Sequence, residues 1–159
     1  MKMISMAVAV VSMLLGGCAA GVPFDQGKGT IPPVAAGKGR IFVYRLGNPL
    51  TMIIPQTYTL DGQDVGTAFS GSTFYHDVVP GKHTVSYAGG ERRTEIDVPM
   101  GGSVYLRYGI VGEADEKAGA NSVSLKSVAE VIPEATAWRE LSGTTLVERY
   151  LLDLKPQMK

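Results

Sequence analysis

The stretch Gly39-Arg40-Ile41-Phe42-Val43-Tyr44-Arg45 decides the fold. It is rich in β-branched and aromatic residues, which are enriched in strands. Its apolar side chains occupy consecutive positions, so they fall on both faces of a strand. A strand that is apolar on both faces is typical of one covered from both sides. We therefore predict a central strand over Arg40–Arg45.

Short alternating segments follow this strand and are separated by Gly and Pro turns. Glu91–Val98 and Ser103–Val111 each have a two-faced pattern, which predicts one buried face. The inward residues are Thr94, Ile96, Val98, Val104, Leu106, Tyr108 and Ile110. Asp61-Gly62 predicts a hairpin, because both turn positions tolerate positive φ. The pattern predicts an all-β protein, an antiparallel β-sandwich of about seven or eight strands with one short C-terminal helix.

The predicted sandwich domain spans residues 40–132. Its last strand loses the alternation before Val128, which predicts a bulge or a strand end there. Pro133, followed by an acidic residue, indicates the start of a helix. We expect residues 133–159 to form this helix and a tail that packs on or near the sandwich. The pattern leaves open whether residues 144–159 are helix or strand.

The amino terminus has the features of an export signal. Residues 1–17 have a basic start, an apolar centre and small residues at the end. The apolar segment is shorter than the roughly 20 residues of a transmembrane helix. Cys18 follows and is the only cysteine in the chain. A plain secretory signal and an uncleaved membrane anchor are the alternatives, but neither explains a single cysteine at this position.

Leu15-Gly16-Gly17-Cys18 resembles the lipobox of bacterial lipoproteins. The resemblance implies cleavage before Cys18 and attachment of long acyl chains, such as palmitate, to its thiol and new amino group. Each buried CH₂ contributes about 0.8 kcal/mol, so several chains would hold the protein on a membrane almost permanently. By the sorting rule of such lipoproteins, Ala19 implies the outer membrane, if the cell has one. We expect the periplasmic face of that membrane, and the sequence leaves the surface-exposed side open. Residues 18–39 are rich in Gly, Ala and Pro, and we predict that they form the lipidated cysteine and a flexible tether that adds nothing to the core.

The charge balance excludes some classes of partner. Fifteen Lys and Arg residues balance fifteen Asp and Glu residues, for a formal net charge of +0. No basic stripe supports nucleic-acid binding. No polybasic run supports binding to anionic lipid headgroups. Acylation of Cys18 would leave no thiol for a disulfide, so we expect the fold to depend on packing alone.

Three groups of residues carry a further resemblance. They are Gly39–Arg45, then Leu60-Asp61-Gly62 with Val65-Gly66, and then Phe74–Val79 with Pro80-Gly81-Lys82-His83. Together they resemble a bacterial lipoprotein family known as domain-of-unknown-function family 2846, over about residues 37–111. The order of turns is also similar to carboxypeptidase-regulatory-like and carbohydrate-associated β-sandwiches. The resemblance implies a β-sandwich lipoprotein and no particular reaction.

His76 and His83 are the candidate metal ligands. If Pro80-Gly81 were a two-residue turn, the two histidines would be diagonal neighbours on one face, roughly 7–8 Å apart at the backbone. Two imidazoles at that distance suit Zn²⁺ or Cu²⁺ with one further ligand. No third ligand stands at a fixed spacing, and Pro-Gly favours a type II turn, which splays strands. We therefore expect packing histidines and no metal or other cofactor.

The remaining polar residues predict no catalytic set. Asp61 and Asp64 flank a turn, where an Asp usually bonds to backbone. The acidic loop Gly112–Ala120 lacks the ligand spacing of a calcium loop. Six tyrosines form either a sugar-stacking platform or, more commonly for strand tyrosines, part of the core. They are Tyr44, Tyr58, Tyr75, Tyr87, Tyr105 and Tyr108.

These observations together predict a lipid-anchored, non-enzymatic protein of the cell envelope. We expect it to bind another envelope protein or to support an assembly, and we expect no nucleic-acid or small-molecule ligand. Loops Gly47–Ile54 and Gly112–Ala120 are the predicted contact surfaces, because long loops are often functional. The alternative is a module that binds a cell-wall or surface polysaccharide.

Overall fold

A computed structural model of the chain describes residues 21–49, 55–114 and 123–147. In this part, ten strands form two sheets, accompanied by two short α-helices. The strands are β1 (Val22–Pro23), β2 (Gly39–Arg45), β3 (Gln56–Leu60), β4 (Gln63–Ala68), β5 (Ser72–Val78), β6 (Gly81–Tyr87), β7 (Arg92–Val98), β8 (Ser103–Ala114), β9 (Val123–Ile132) and β10 (Thr145–Leu146). The helices are α1 (Phe24–Gly27) and α2 (Glu134–Leu141). The sheet orders are β1-β10-β5-β2-β8-β9 and β4-β3-β6-β7, which confirms a mostly-β sandwich with more strands than predicted.

Strand β2 is the predicted central strand. It pairs antiparallel with β5 and parallel with β8, and all seven of its residues are buried. Ile41 and Val43 belong to the core between the two sheets. Phe42 and Tyr44 belong to a second core on the outer face of the six-stranded sheet. The consecutive apolar residues therefore serve two cores at once.

The core between the sheets follows the predicted alternation. Ile96 and Val98 of β7 are buried in it, as are Val104, Leu106 and Tyr108 of β8. Full burial of one such apolar side chain stabilises the fold by about 1.5–3 kcal/mol relative to exposure. The alternating residues of β7 and β8 therefore provide a large part of the force that holds the two sheets together.

The second core lies under α2 and the amino-terminal segment. Helix α2 begins directly after Pro133, where the sequence predicts a helix start, and it buries Ala137 and Leu141. Beneath it the rings of Phe42 and Tyr105 stack with their centroids 5.2 Å apart. The six-stranded sheet is therefore covered on both faces.

The prediction of a flexible tether over residues 18–39 is wrong for its described part. Val22 pairs with Leu146 of β10, and the Phe24 side chain is 0 % exposed within the second core. Further along, the carbonyl of Pro32 accepts a hydrogen bond of 2.7 Å from Arg40 Nη1. The Gly and Pro residues therefore form turns in a segment that packs on the sheet. Phe24 is buried there, and the carbonyl of Pro32 bonds to Arg40 of β2.

Two further local predictions are wrong. Val128 pairs regularly with Gly109, so β9 has no bulge or end there, because its ladder with β8 continues although the side-chain alternation does not. The same ladder extends β8 to Ala114, so the first three residues of the predicted loop Gly112–Ala120 belong to a strand. The register shift in the sandwich lies instead at Tyr58/Thr59, in the β3–β4 pair.

The predicted hairpin at Asp61-Gly62 is confirmed. Leu60 pairs with Gln63 across the turn. Asp61 and Gly62 have φ values of 49° and 81°. Positive φ at both central positions is the geometry of a type I′ turn, whose twist matches that of the flanking strands.

Candidate functional site

The predicted lipidation site, Cys18, lies outside the described residues. Among those residues, no helix is both long and apolar enough to cross a membrane. Gly21 packs tightly on β10: with φ at +147°, a Cβ on it would lie 2.6 Å from the carbonyl oxygen of Leu146. Phe24 then donates its backbone N–H to Thr144 O at 2.9 Å. The chain is therefore held on the sandwich only three residues after Cys18.

A shallow pocket lies beside this entry point. Its volume is about 360 Å³, and it is bordered by Gly21 and by the β4–β5 connection that contains Phe69. The Phe69 side chain is 50 % exposed and the Val22 side chain is 46 % exposed. Phe69 therefore borders the pocket beside Gly21, whereas the Val22 side chain lies next to Gly27.

A second hollow, which we call the notch, lies at the same end of the six-stranded sheet. Its volume is about 350 Å³, and its walls are the end of β2 with residues 46–49 on one side and β8 with β9 on the other. It forms because β2 ends at Arg45, opposite Tyr108, whereas β8 continues to Ala114. A hydrogen bond of 2.8 Å from the backbone N–H of Asn48 to Ser70 Oγ supports its rim.

In the inner part of the notch, the buried guanidinium of Arg45 lies beside the buried phenol of Tyr108. Arg45 is 1 % exposed, and its guanidinium carbon lies 5.8 Å from the centroid of the Tyr108 ring. The Tyr108 hydroxyl shares hydrogen bonds with Gln56 Oε1 at 3.0 Å and Ser127 Oγ at 2.6 Å. Burial raises the pKa of the Tyr108 phenol, so this hydroxyl stays protonated. These contacts give the notch a preorganised floor.

Ion pairs hold one rim of the notch. Arg107 donates to Glu130 Oε2 and to Glu140 Oε1, each at 2.5 Å. The hydrogen bond to Glu130 is the largest cause that raises the pKa of Arg107. The second oxygen of Glu140 accepts a hydrogen bond of 2.6 Å from Tyr44, and burial together with this bond raises the pKa of Tyr44 above its usual range. The network links β8 and β9 to α2.

The two predicted metal ligands do not come together. Strand β5 carries His76 opposite Ile41 in one sheet, whereas β6 carries His83 opposite Ile96 in the other. Pro80-Gly81 therefore connects the two sheets, because β5 pairs with β2 and β10, whereas β6 pairs with β3 and β7. His76 Nε2 lies 2.7 Å from the carbonyl oxygen of Val65. No cluster of three His, Cys, Asp or Glu side chains suited to a metal occurs among the residues that the structure describes.

His83 instead clamps the hairpin turn to β6. Its Nδ1 lies 2.6 Å from Asp61 Oδ2, and its Nε2 lies 2.6 Å from the carbonyl oxygen of Val79. Both ring nitrogens face acceptors, an arrangement that suits the imidazolium, which has two N–H donors. Burial opposes this charge, but the bonds to Asp61 and Val79 outweigh it and raise the pKa of His83. The hydrogen bond from the Thr84 N–H is the largest cause that lowers the pKa of Asp61, and the hydrogen bond to His83 lowers it further.

The strand tyrosines belong mainly to the cores. Five of the six are buried, namely Tyr44, Tyr58, Tyr87, Tyr105 and Tyr108. Tyr75 is partly exposed, and the guanidinium carbon of Arg40 lies 4.4 Å from its ring centroid. They therefore do not form a sugar-stacking platform on the surface. Of the predicted contact loops, residues 50–54 and 115–120 lie outside the described residues.

Sequence reasoning missed both the docked segment and the notch. Phe24 is a large apolar residue in a stretch otherwise rich in Gly and Pro, and it was the available signal for docking. Arg45 follows four consecutive apolar residues, which is a signal for a buried charge at a strand end. The notch itself depends on the parallel pairing of β2 with β8, which no local sequence pattern predicts.

Comparisons with protein-family models, with curated proteins and with solved structures found no match to this chain.

Proposed function

We propose that the protein is a lipid-anchored, non-enzymatic binding module of the bacterial cell envelope. The observation that carries the proposal is Leu15-Gly16-Gly17-Cys18, which directly follows a short apolar segment and contains the only cysteine of the chain. The resemblance to domain-of-unknown-function family 2846 supports the same assignment. Ala19 supports the outer membrane, and we propose the periplasmic face of that membrane.

The arrangement of the titratable side chains favours binding over catalysis. A catalytic pocket needs acid, base or nucleophilic groups that converge on a substrate. Here His83 and Asp61 hold a turn against a strand. At the notch, Arg107 is paired with Glu130 and with Glu140. These contacts support a structural role for each group.

The notch is the surface that suits a protein partner best. A binding interface is commonly centred on a pocket that accepts one anchoring side chain and is ringed by polar groups. The notch has this form, with Leu46 exposed at its mouth and Glu130 on its rim. Its volume of about 350 Å³ is enough for one or two partner side chains. We therefore place the contact with an envelope protein here.

Glycan binding, the second candidate, has less support. Sugar recognition by stacking needs aromatic faces on the surface, and five of the six strand tyrosines are buried. Trp138 and Phe69 have substantial exposure, but the first lies on α2 and the second on the β4–β5 connection. The two rings do not form one platform.

The anchor is tested by mass spectrometry of the mature amino terminus. We expect an amino-terminal peptide that begins at Cys18 and carries acyl chains, and a Cys18→Ser variant that is unprocessed or released from the membrane fraction. Cleavage at another position, or an unmodified Cys18 in membrane-bound protein, would contradict the proposal.

The partner is tested by photo-crosslinking in intact cells. A photoreactive residue replaces Leu46 at the notch or, as the matched control, the exposed Met100 in the β7–β8 turn. We expect a discrete protein adduct from position 46 that is absent from position 100. The same adducts from both positions, or none from position 46, would contradict binding at the notch, and an adduct with polysaccharide would favour the second candidate.

A further inference from the structure

We propose that two copies of this chain associate edge to edge through β9, so that their six-stranded sheets form one continuous sheet. The partner of β9 is the β9 strand of a second copy, which lies antiparallel to it about a two-fold axis beside Val128. This self-association is independent of the lipidation of Cys18 and of the protein partner proposed for the notch.

Strand β9 is an open edge of the six-stranded sheet. Among the described residues it pairs with β8 alone, and its register with β8 is unbroken from Val123 to Ile132. A long edge strand presents a row of N–H and C=O groups that a further strand can extend. Strand β9 is ten residues long and contains no proline, so each of its residues keeps a backbone donor. Its backbone is therefore suited to strand addition.

The other three sheet edges are less suited to a further strand. Strand β1 has only two residues. Strand β4 is held against the other sheet, since the carbonyl oxygen of Val65 lies 2.7 Å from His76 Nε2. Strand β7 carries exposed charged side chains along most of its length, which discourages pairing at an edge. These are Arg92, Arg93, Glu95 and Asp97.

A two-fold axis beside Val128 makes the charges of β9 complementary. It sets Glu130 of each copy opposite Lys126 of the other, so the same charge pair occurs twice. Opposite charges directly across an antiparallel pair stabilise it, and like charges destabilise it. The Glu130 side chain is 56 % exposed although it also pairs with Arg107, so a second cation can approach it. Moving the axis by one residue, to Ser127 or Ala129, breaks both pairs.

The apolar residues of β9 match in the same register. Val131 is 52 % exposed, and the axis sets it opposite residue 125, a leucine. Exposed apolar side chains commonly mark an interaction site when a partner can cover them. At the axis Val128 lies opposite its own copy, and β-branched residues suit such pairs. Charged and apolar pairs therefore select one register of β9 on β9.

This association leaves the rest of the molecule accessible. Strand β1, which carries the amino-terminal segment, is at the opposite edge of the six-stranded sheet. Val128 and Glu130 also border the notch, so the axis brings two notches side by side on the joined sheet. If the notch binds an envelope protein as proposed above, the dimer offers that protein two equivalent contact sites.

The proposal is tested by disulfide crosslinking of the full chain in intact cells. In a Val128→Cys variant the two thiols are directly opposite, and Cα atoms about 4.5–5.5 Å apart suit a disulfide. We expect a disulfide-linked dimer after mild oxidation. Val131→Cys is the matched control, because its two copies are about six residue positions apart, or roughly 20 Å along the strands. We expect several-fold less dimer from it, and the unsubstituted chain reports any dimer formed through Cys18.

An exchange of charges tests the register itself. In the Val128→Cys background, Glu130→Lys is expected to lower the dimer yield several-fold, because two lysines then lie opposite each other. Lys126→Glu is expected to do the same, and the two substitutions together are expected to restore the yield. Restoration separates the charge pair across the interface from the ion pair of Glu130 with Arg107 in the same chain. Glu95→Lys, at an exposed position of β7, is the control and should leave the yield unchanged.

Three outcomes overturn the proposal. The first is an equal dimer yield from positions 128 and 131, which indicates random collision. The second is no dimer from Val128→Cys in protein that keeps its β-type circular dichroism spectrum. The third is a charge exchange that restores nothing. None of them affects the anchor or the notch, because mass spectrometry of Cys18 and crosslinking from Leu46 test those separately.

Discussion

Asp77 and Arg40 face each other across the β5–β2 pair and are joined by two hydrogen bonds. Arg40 Nε donates to Asp77 Oδ1 at 2.5 Å, and Nη2 donates to Oδ2 at 2.9 Å. Arg40 also donates to the carbonyl of Pro32, and the backbone N–H of Ala35 donates to Asp77. The pair therefore fastens the amino-terminal segment to the sheet as well as joining two strands.

The Asp77→Asn substitution is expected to lower the free energy of unfolding by about 2 kcal/mol, because it removes the charge partner of the buried Arg40 guanidinium. The loss is limited because part of the Asp77 carboxylate is open to solvent. The hydrogen bonds from Arg40 are the largest cause that lowers the pKa of Asp77. Its ionised form therefore stabilises the fold above the ordinary pKa of 3.8, and this stabilisation is lost as pH falls through the lower folded-state value. Urea unfolding from pH 6 to pH 2.5 measures both effects.

The matched control for this prediction is Asp97→Asn, at an exposed position of β7. It should change the stability at pH 6 by less than about 0.5 kcal/mol. An Asp77→Asn protein that is as stable as this control at pH 6 would show that the ion pair adds nothing to the fold.

The His83–Asp61 clamp is expected to give the protein a pH dependence of opposite sign. Hydrogen bonds to Asp61 and Val79 raise the pKa of His83 above its ordinary 6.5 against the effect of burial. The clamp therefore contributes fully below the unfolded-state value, and the contribution is lost as pH rises through the folded-state pKa. An NMR titration should place the midpoint of the His83 ring above 6.5, and Asp61→Asn should lower it. A midpoint that Asp61→Asn leaves unchanged would rule out the carboxylate as its cause.

Phe24→Ala is expected to lower the free energy of unfolding by about 3–5 kcal/mol, because it leaves a cavity in the second core. Phe69→Ala is the matched control, since the same side chain is half exposed there, and should change the stability by less than about 0.5 kcal/mol. For the same reason, a chain that starts at Gly37 should be less stable than one that retains Phe24. Equal urea midpoints for the two alanine variants would contradict docking of the amino-terminal segment.

Gly39→Ala is expected to destabilise the fold by about 1–3 kcal/mol through overpacking. A Cβ at Gly39 would collide with the backbone carbonyl of Pro99 and lie 2.5 Å from Val98 Cγ1. Gly29→Ala is the control, because a Cβ at Gly29 meets nothing within 4 Å. Thermal unfolding compares the two variants, and a melting temperature for Gly39→Ala equal to that of the control would contradict the close approach.

Much of the fold was predictable from local patterns. The consecutive apolar residues of β2 predicted a strand covered on both faces, because side chains alternate between faces in any strand. Asp61-Gly62 predicted a hairpin, because few residue pairs accept positive φ twice. Pro133 predicted the start of α2, since its fixed φ suits the first turn of a helix. Each of these signals acts within a few residues.

The sequence by itself therefore determined the central strand β2, the alternating strands β7 and β8, the hairpin at Asp61 and the lipobox-like segment that ends at Cys18. Only the tertiary structure decided that β2 pairs with β8 and opens the notch, that the strands of His76 and His83 lie in different sheets, and that Phe24 docks beside β10. The physical reason is that periodicity and turn chemistry act locally, whereas the choice of strand partner depends on side chains far apart in the chain that bury one another's surface.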